Sequence, residues 1–247
     1  MSCIFCGRKG EMTDEHLWPK WVRRTLDESE WGKVVPHSVH PHDRPPRGWR
    51  EPVFNKRLPS VCTPCNTGWM SKVEDAAKGH AEPLVRGEPR VLGLRARHRI
   101  ATWAYLKVLL CEHLDKSQRL VPPDRYSWFY EHNRQGEPNL PRSAAVFIAA
   151  HVGQLYGQYA HRGLAPPDQR FPEIDTFVGT FTARHLVLQV TENLSGKRPV
   201  DFVREPLGAR RHQQIFPRLR RVRWPLGPPL DDQELTAFAG PLPSQSS

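Results

Sequence analysis

The segment Cys62-Thr63-Pro64-Cys65-Asn66-Thr67-Gly68-Trp69-Met70-Ser71-Lys72-Val73-Glu74 joins a Cys-x-x-Cys pair to the start of a helix. Thr63 and Pro64 suit the N-cap and first turn, and Asn66, Met70, Val73 and Glu74 follow before Gly79. Gly68 weakens that helix by about 1 kcal/mol relative to alanine. A second pair, Cys3-Ile4-Phe5-Cys6, lies near the start of the sequence. Two such pairs supply four thiolates, a ligand set that holds one tetrahedral zinc ion. Between them stands Asp14-Glu15-His16. A zinc cross-link would bring Glu15 and His16 near Asn66, although 49 residues separate His16 from Asn66.

A histidine next to a carboxylate suits proton transfer. Unperturbed imidazole titrates near neutrality, so His16 is a candidate general base. The order Cys3-x-x-Cys6, nine residues, His16 preceded by Glu15, then Cys62-x-x-Cys65-Asn66 resembles the HNH endonuclease family. That family is the zinc-stapled branch of the ββα-metal nucleases. The stretch from Asn66 to Ser71, with Glu74 after it, is similar to the helix of a bacterial and phage subgroup. The resemblance covers about residues 1–80, a third of the chain.

The resemblance implies an α+β protein with a zinc-bound ββα-metal domain over residues 1–82. It makes Cys3, Cys6, Cys62 and Cys65 the zinc ligands. Glu15 and Asn66 become ligands of a catalytic Mg2+ or Mn2+, and His16 the base of phosphodiester hydrolysis. A divalent cation neutralises charge that develops on the phosphate, and oxygen donors suit a hard ion. The family's middle asparagine orients the histidine. Asn55 is the nearest counterpart, although it stands further upstream of Cys62 than the family pattern has it. The chain also departs from the pattern with Glu for the commoner Asp at 15 and Asn for His at 66. Glu74 lies two helical turns beyond Asn66, either as a further ligand or as a solvated or ion-paired carboxylate. The rival reading is a zinc ribbon that binds nucleic acid, or regulates, without catalysis.

Bulk properties agree with a polyanion partner. The 247 residues carry a formal charge of +10. Residues 1–80 hold 13 Lys/Arg and 10 Asp/Glu, against 23 and 16 in residues 81–247. A basic surface attracts nucleic acid, with DNA as the expected polymer. Arg210, Arg211, Arg218, Arg220, Arg221 and Arg223 are either contacts to its phosphates or a solvated basic face. Arginine-rich composition with 25 prolines points to a bacterial or phage source. No apolar run reaches the roughly 20 residues of a spanning helix, so no membrane partner is expected. The first residues lack the charged and apolar regions of a secretory signal. The cytoplasm is therefore the expected compartment, which suits cysteines used for metal rather than disulfides.

The remaining pattern is α+β. Residues 1–30 read as a knuckle, a short strand and a helix start, with Trp18, Trp21, Val22 and Leu26 on one face. Residues 31–60 are rich in proline and histidine and read as a long loop with one strand near Val53-Phe54. His37, His40 and His42 are loop residues or a second metal site. Composition shifts around Pro83 to Pro89, which separates residues 83–247 as a basic α+β region with an antiparallel sheet. Within it, residues 98–114 read as an apolar helix with Cys111 as a buried thiol. Ala144 to His151, Thr176 to Arg184 and Leu186 to Thr191 read as strands. Arg218 to Trp224 alternates basic with apolar residues, and Asp231 to Ala239 reads as a helix capped by Asp231 or Asp232.

Overall fold

Strand β1 (Met12–His16) pairs antiparallel with β4 (Arg57–Cys62), so that Met12 faces Cys62 and His16 faces Arg57. The computed structural model describes residues 1–26, 37–38, 47–48, 57–113, 119–155, 157, 159–164, 176–195, 211–217 and 220–239. Between Thr13 and Glu15 the β1–β4 register shifts. Such a bulge re-aims the side chains that follow it, and here Asp14 is exposed while Glu15 is buried. Helix α1 (Lys20–Arg23) comes next and buries Trp21 and Val22. Two short strands, β2 (His37–Ser38) and β3 (Arg47–Gly48), pair with each other. Val53-Phe54, where a strand is expected, lie outside the described residues.

After β4 the chain does not enter an ordinary helix. Cys65–Met70 forms a wide π-type turn, kinked at Gly68 with φ −94° and ψ −105°. Regular helix α2 (Ser71–Val85) follows. The described N-terminal part thus holds the β1–β4 pair, the short α1 and the β2–β3 pair between those two strands, and α2 after β4.

Strand β5 (Arg90–Leu92) pairs with β11 (Val222–Trp224). Helix α3 (Leu94–Cys111) is buried almost all round, from Arg97 and Ile100 to Cys111. Helix α4 (Pro123–Asn133) has proline in its first turn, where the missing N–H costs nothing. The main sheet is five-stranded and antiparallel. Its strands are β6 (Ala144–Ala150), β7 (Tyr159–Leu164), β8 (Thr176–Ala183), β9 (Leu186–Asn193) and β10 (His212–Phe216), in the order β10-β6-β9-β8-β7. The three strands expected from sequence are β6, β8 and β9, and every residue in them is buried.

That continuous burial arises because both faces are covered. Helix α3 packs on one face. Helix α5 (Asp232–Ala239) packs on the other, where Leu235 and Phe238 join Ala145, Phe147 and Val187. Gly179 in β8 allows the α3 contact, since a Cβ there would lie 2.5 Å from Val108 Cγ1. Asp231 caps α5: its carboxylate accepts from the Glu234 N–H at 2.8 Å, and the Glu234 carboxylate accepts in turn from the Asp231 N–H at 3.0 Å. This is a reciprocal capping box. Asp232 instead turns to His151 Nε2 at 2.9 Å and to the backbone N–H groups of Gln154 and Leu155.

One hydrophobic cluster runs from Cys3 to Trp224. Phe5 meets Trp69 edge-on at 5.1 Å between ring centroids, and Trp69 meets Phe129 at 5.7 Å. Trp21 packs on Trp103 at 5.3 Å, and Trp18 on Phe181 at 5.4 Å. Helix α2 runs through residues 82 and 83, where the sequence suggests a division. No helix among the described residues is long and apolar enough to cross a membrane.

Candidate functional site

The first knuckle is a tight turn. The Gly7 N–H donates to the Cys3 carbonyl at 3.0 Å, and the Cys3 N–H to the Arg8 carbonyl at 3.0 Å. Gly7 adopts φ 69°, a conformation that favours glycine. The Ile4 N–H donates to the Ser60 carbonyl at 3.0 Å, which fastens the knuckle to β4. The sulfurs of Cys3, Cys6, Cys62 and Cys65 then lie within 4.8 Å of one another. Cys6 and Cys62 are 3.6 Å apart. Zinc–sulfur bonds of about 2.3 Å in a tetrahedron place sulfurs about 3.8 Å apart, so the cluster fits a zinc ion. Interaction with Cys65 pushes Cys3 down to about 4, while the same interaction and burial raise Cys65.

Beside this cluster, β1, α1 and α2 enclose a cleft of about 500 Å³. Glu15, His16, Asn66 and Glu74 all line it, with Trp18 and Met70 as apolar wall. Glu15 is only 8% exposed. Burial lifts its carboxyl to about 7; the Lys107 ammonium and a hydrogen bond from Asn66 oppose that lift, and the Glu74 charge adds to it. The Asn66 amide also donates to Thr13 Oγ1 at 3.0 Å. Thr13 in turn donates to the Val61 carbonyl at 2.9 Å. The wide turn after Cys65 is thus tied to both strands at the level of Glu15.

His16 is half-buried. Partial burial lowers its pKa first, then the charges of Arg57, Arg23 and Lys20, with Asp14 partly opposing them. The imidazole is therefore neutral at neutral pH and able to accept a proton.

The structure adds one residue that sequence reasoning missed. Lys107, on α3, is 1% exposed and forms an ion pair with Glu74. The available signal was a lone lysine inside the apolar run from Ala101 to Cys111. Glu74 is accordingly ion-paired, as one of its two readings has it, and it also lines the cleft. Glu15, Asn66 and Glu74 thus line one cleft, while the four cysteines are the group of possible metal ligands among the described residues.

Asn55, Arg210 and Arg218 fall outside the described residues, as do the side chains of His37, His40 and His42. Arg211 is engaged by the Glu234 carboxylate and the Pro228 and Pro229 carbonyls, which ties β10 to the start of α5. Arg220, Arg221 and Arg223 are exposed around β11, with Val222 and Trp224 buried between them. Arg211, Arg220, Arg221 and Arg223 do not line the cleft. Cys111 is buried, as expected.

Comparison with protein-family models, curated proteins and solved structures finds no match.

Proposed function

We propose that this chain is a metal-dependent endonuclease of the HNH type, acting on phosphodiester bonds in nucleic acid, with DNA as the expected polymer. The observation that carries the reading is the convergence of Glu15, His16 and Asn66 in one cleft beside four clustered cysteines. A purely structural zinc ribbon requires no such cleft. The antiparallel β1–β4 pair, with α2 following β4, supports the ββα-metal reading as well.

In this proposal zinc on the four cysteines cross-links the knuckles. Glu15 and Asn66, with Glu74 beside them, would hold a Mg2+ or Mn2+ ion. That ion supplies neutralisation of charge on the phosphate and leaving oxygen. His16, neutral and at the cleft wall, takes the proton from the attacking water. The Asn66 amide lowers the Glu15 pKa, and Lys107 pairs with the Glu74 carboxylate.

Nicking of supercoiled plasmid tests the reading, with zinc-loaded protein in the presence and absence of Mg2+ or Mn2+. Wild type should nick only with the added ion. His16→Ala should lose roughly 10²- to 10⁴-fold in rate and keep its zinc and fold. Absence of divalent-dependent cleavage by wild type on DNA or RNA would overturn the proposal and favour the non-catalytic ribbon.

A further inference from the structure

The acidic floor of the cleft is bordered by cations from three elements. Lys20 and Arg24 stand four residues apart, with the Arg24 N–H bonded to the Lys20 carbonyl at 3.1 Å. That spacing puts both on one face of the α1 turn, whose Trp21 and Val22 are buried. Lys78 lies one turn beyond Glu74 on α2. All three line the cleft. Arg57 faces His16 across the β1–β4 ladder.

We propose that Lys20, Arg24 and Lys78 are the grip for the nucleic-acid backbone, holding phosphates on either side of the bond presented to His16, with Arg57 as a fourth contact. This inference rests on the nuclease reading for the identity of the reacting site, although the grip itself concerns binding.

The pairing of charges around the cleft singles these residues out. Glu74 is matched by Lys107. Asp14 faces Arg57 at 3.6 Å, with both side chains more than half exposed, and such surface pairs are weak. Asp75 also lines the cleft, and Glu15 lies buried at its floor. No ion pair joins Lys20, Arg24 or Lys78 to a carboxylate among the described residues. Unmatched cations around a cleft floored by carboxylates suit one kind of occupant. It is a polyanion whose phosphates would meet the rim, while the floor carboxylates would hold a divalent ion as the nuclease reading has it. The contrast with the C-terminal arginines is direct: Arg211 is consumed by Glu234, and Arg220, Arg221 and Arg223 stand away from the cleft.

Binding, measured separately from cleavage, tests the grip. Fluorescence anisotropy would use zinc-loaded full-length protein carrying His16→Ala, with short labelled duplex DNA, single-stranded DNA and RNA. The added triple variant Lys20→Ala/Arg24→Ala/Lys78→Ala should bind about a hundredfold more weakly at about 0.1 M salt. On duplex DNA its log–log salt slope should be shallower by about 2 to 3, near 0.9 for each phosphate that is no longer neutralised. The polymer whose affinity falls most is the one gripped. Arg220→Ala/Arg221→Ala/Arg223→Ala removes equal charge and should change the slope by less than about 1. Lys20→Arg/Lys78→Arg should bind like the parent. An unchanged slope in the rim variant, an equal weakening in the arginine control, or no binding by the parent would overturn the grip. Rim-dependent binding without divalent-dependent cleavage by wild type would sink the nuclease reading and leave the grip standing. Cleavage by wild type with rim-independent binding would do the reverse.

Discussion

Glu15→Gln should make the protein more stable and, at the same time, inactive. Glu15 is buried, and its carboxyl titrates at about 7 in the folded chain against an ordinary value of 4.5. The folded state therefore holds this proton more tightly than the unfolded state. Stability from the group is fully present below about 4.5 and is lost as pH rises through about 7. The gap corresponds to a cost of about 3 kcal/mol for keeping the ionised carboxylate folded above pH 7. Glutamine has nearly the same shape and no charge, so it escapes that cost. Urea unfolding of zinc-loaded protein across pH 5 to 8 should show the variant gaining on wild type as pH rises, by up to about 3 kcal/mol. Divalent cation should raise the melting temperature of wild type above pH 7, and that of the variant much less, because a ligand of the folded state stabilises it by mass action. The variant should also lose metal-dependent nicking. A stability difference that does not change with pH, or a variant less stable than wild type at pH 8, would refute the assignment of Glu15 as a strained, buried carboxylate.

Other perturbations probe separate links. Lys107→Met leaves Glu74 without its buried cation and should cost about 3–5 kcal/mol, read by thermal unfolding; Lys107→Met/Glu74→Gln should recover most of the loss, and an undiminished loss would show that the pair is not the cause. Elemental analysis should find one zinc per chain, and Cys62→Ser should yield unstable or insoluble protein, because the ion joins segments nearly 60 residues apart and contributes directly to folding. Gly179→Ala would set a methyl 2.5 Å from Val108 Cγ1 and should destabilise by about 1–3 kcal/mol, with partial recovery on adding Val108→Ala.

What was legible in the sequence follows from how locally each feature is encoded. The cysteine pairs were legible because a knuckle is a short turn whose spacing survives in the chain. Strands β6, β8 and β9 were legible because burial on both faces writes an unbroken apolar run. By contrast β10, His212-Gln213-Gln214-Ile215-Phe216, is mostly polar in composition and owes its pairing to β6. Strand β7 contains His161, whose burial depends on the Glu112 carboxylate at the end of α3. That carboxylate also accepts from the Tyr159 hydroxyl at 2.8 Å and from the Leu120 N–H at 2.7 Å. Partners so far apart in sequence leave no local period. The wide turn at Cys65–Met70 was hidden for a related reason. Ordinary helical spacing does not apply across it, yet it sets how Asn66 and Glu74 both reach the cleft.

Lys107 carries the same reasoning into the site itself. Within the mostly apolar stretch Ala101 to Cys111 a buried ammonium adds little stability, and a well-packed apolar residue often serves at least as well. Its position makes sense only with Glu74 opposite, and Glu74 reaches the cleft only because α2 follows the kinked turn after Cys65. The floor of the candidate site therefore depends on α3, which no motif in the first third of the chain anticipates. The same interface buries Trp18 against Phe181, Trp21 against Trp103 and Trp69 against Phe129. Residues that shape the cleft from the N-terminal side are thus packed by residues from the C-terminal side. Cleft geometry and the core of residues 83–247 consequently form one physical problem, and changes in that core should be read in divalent-ion response as well as in stability.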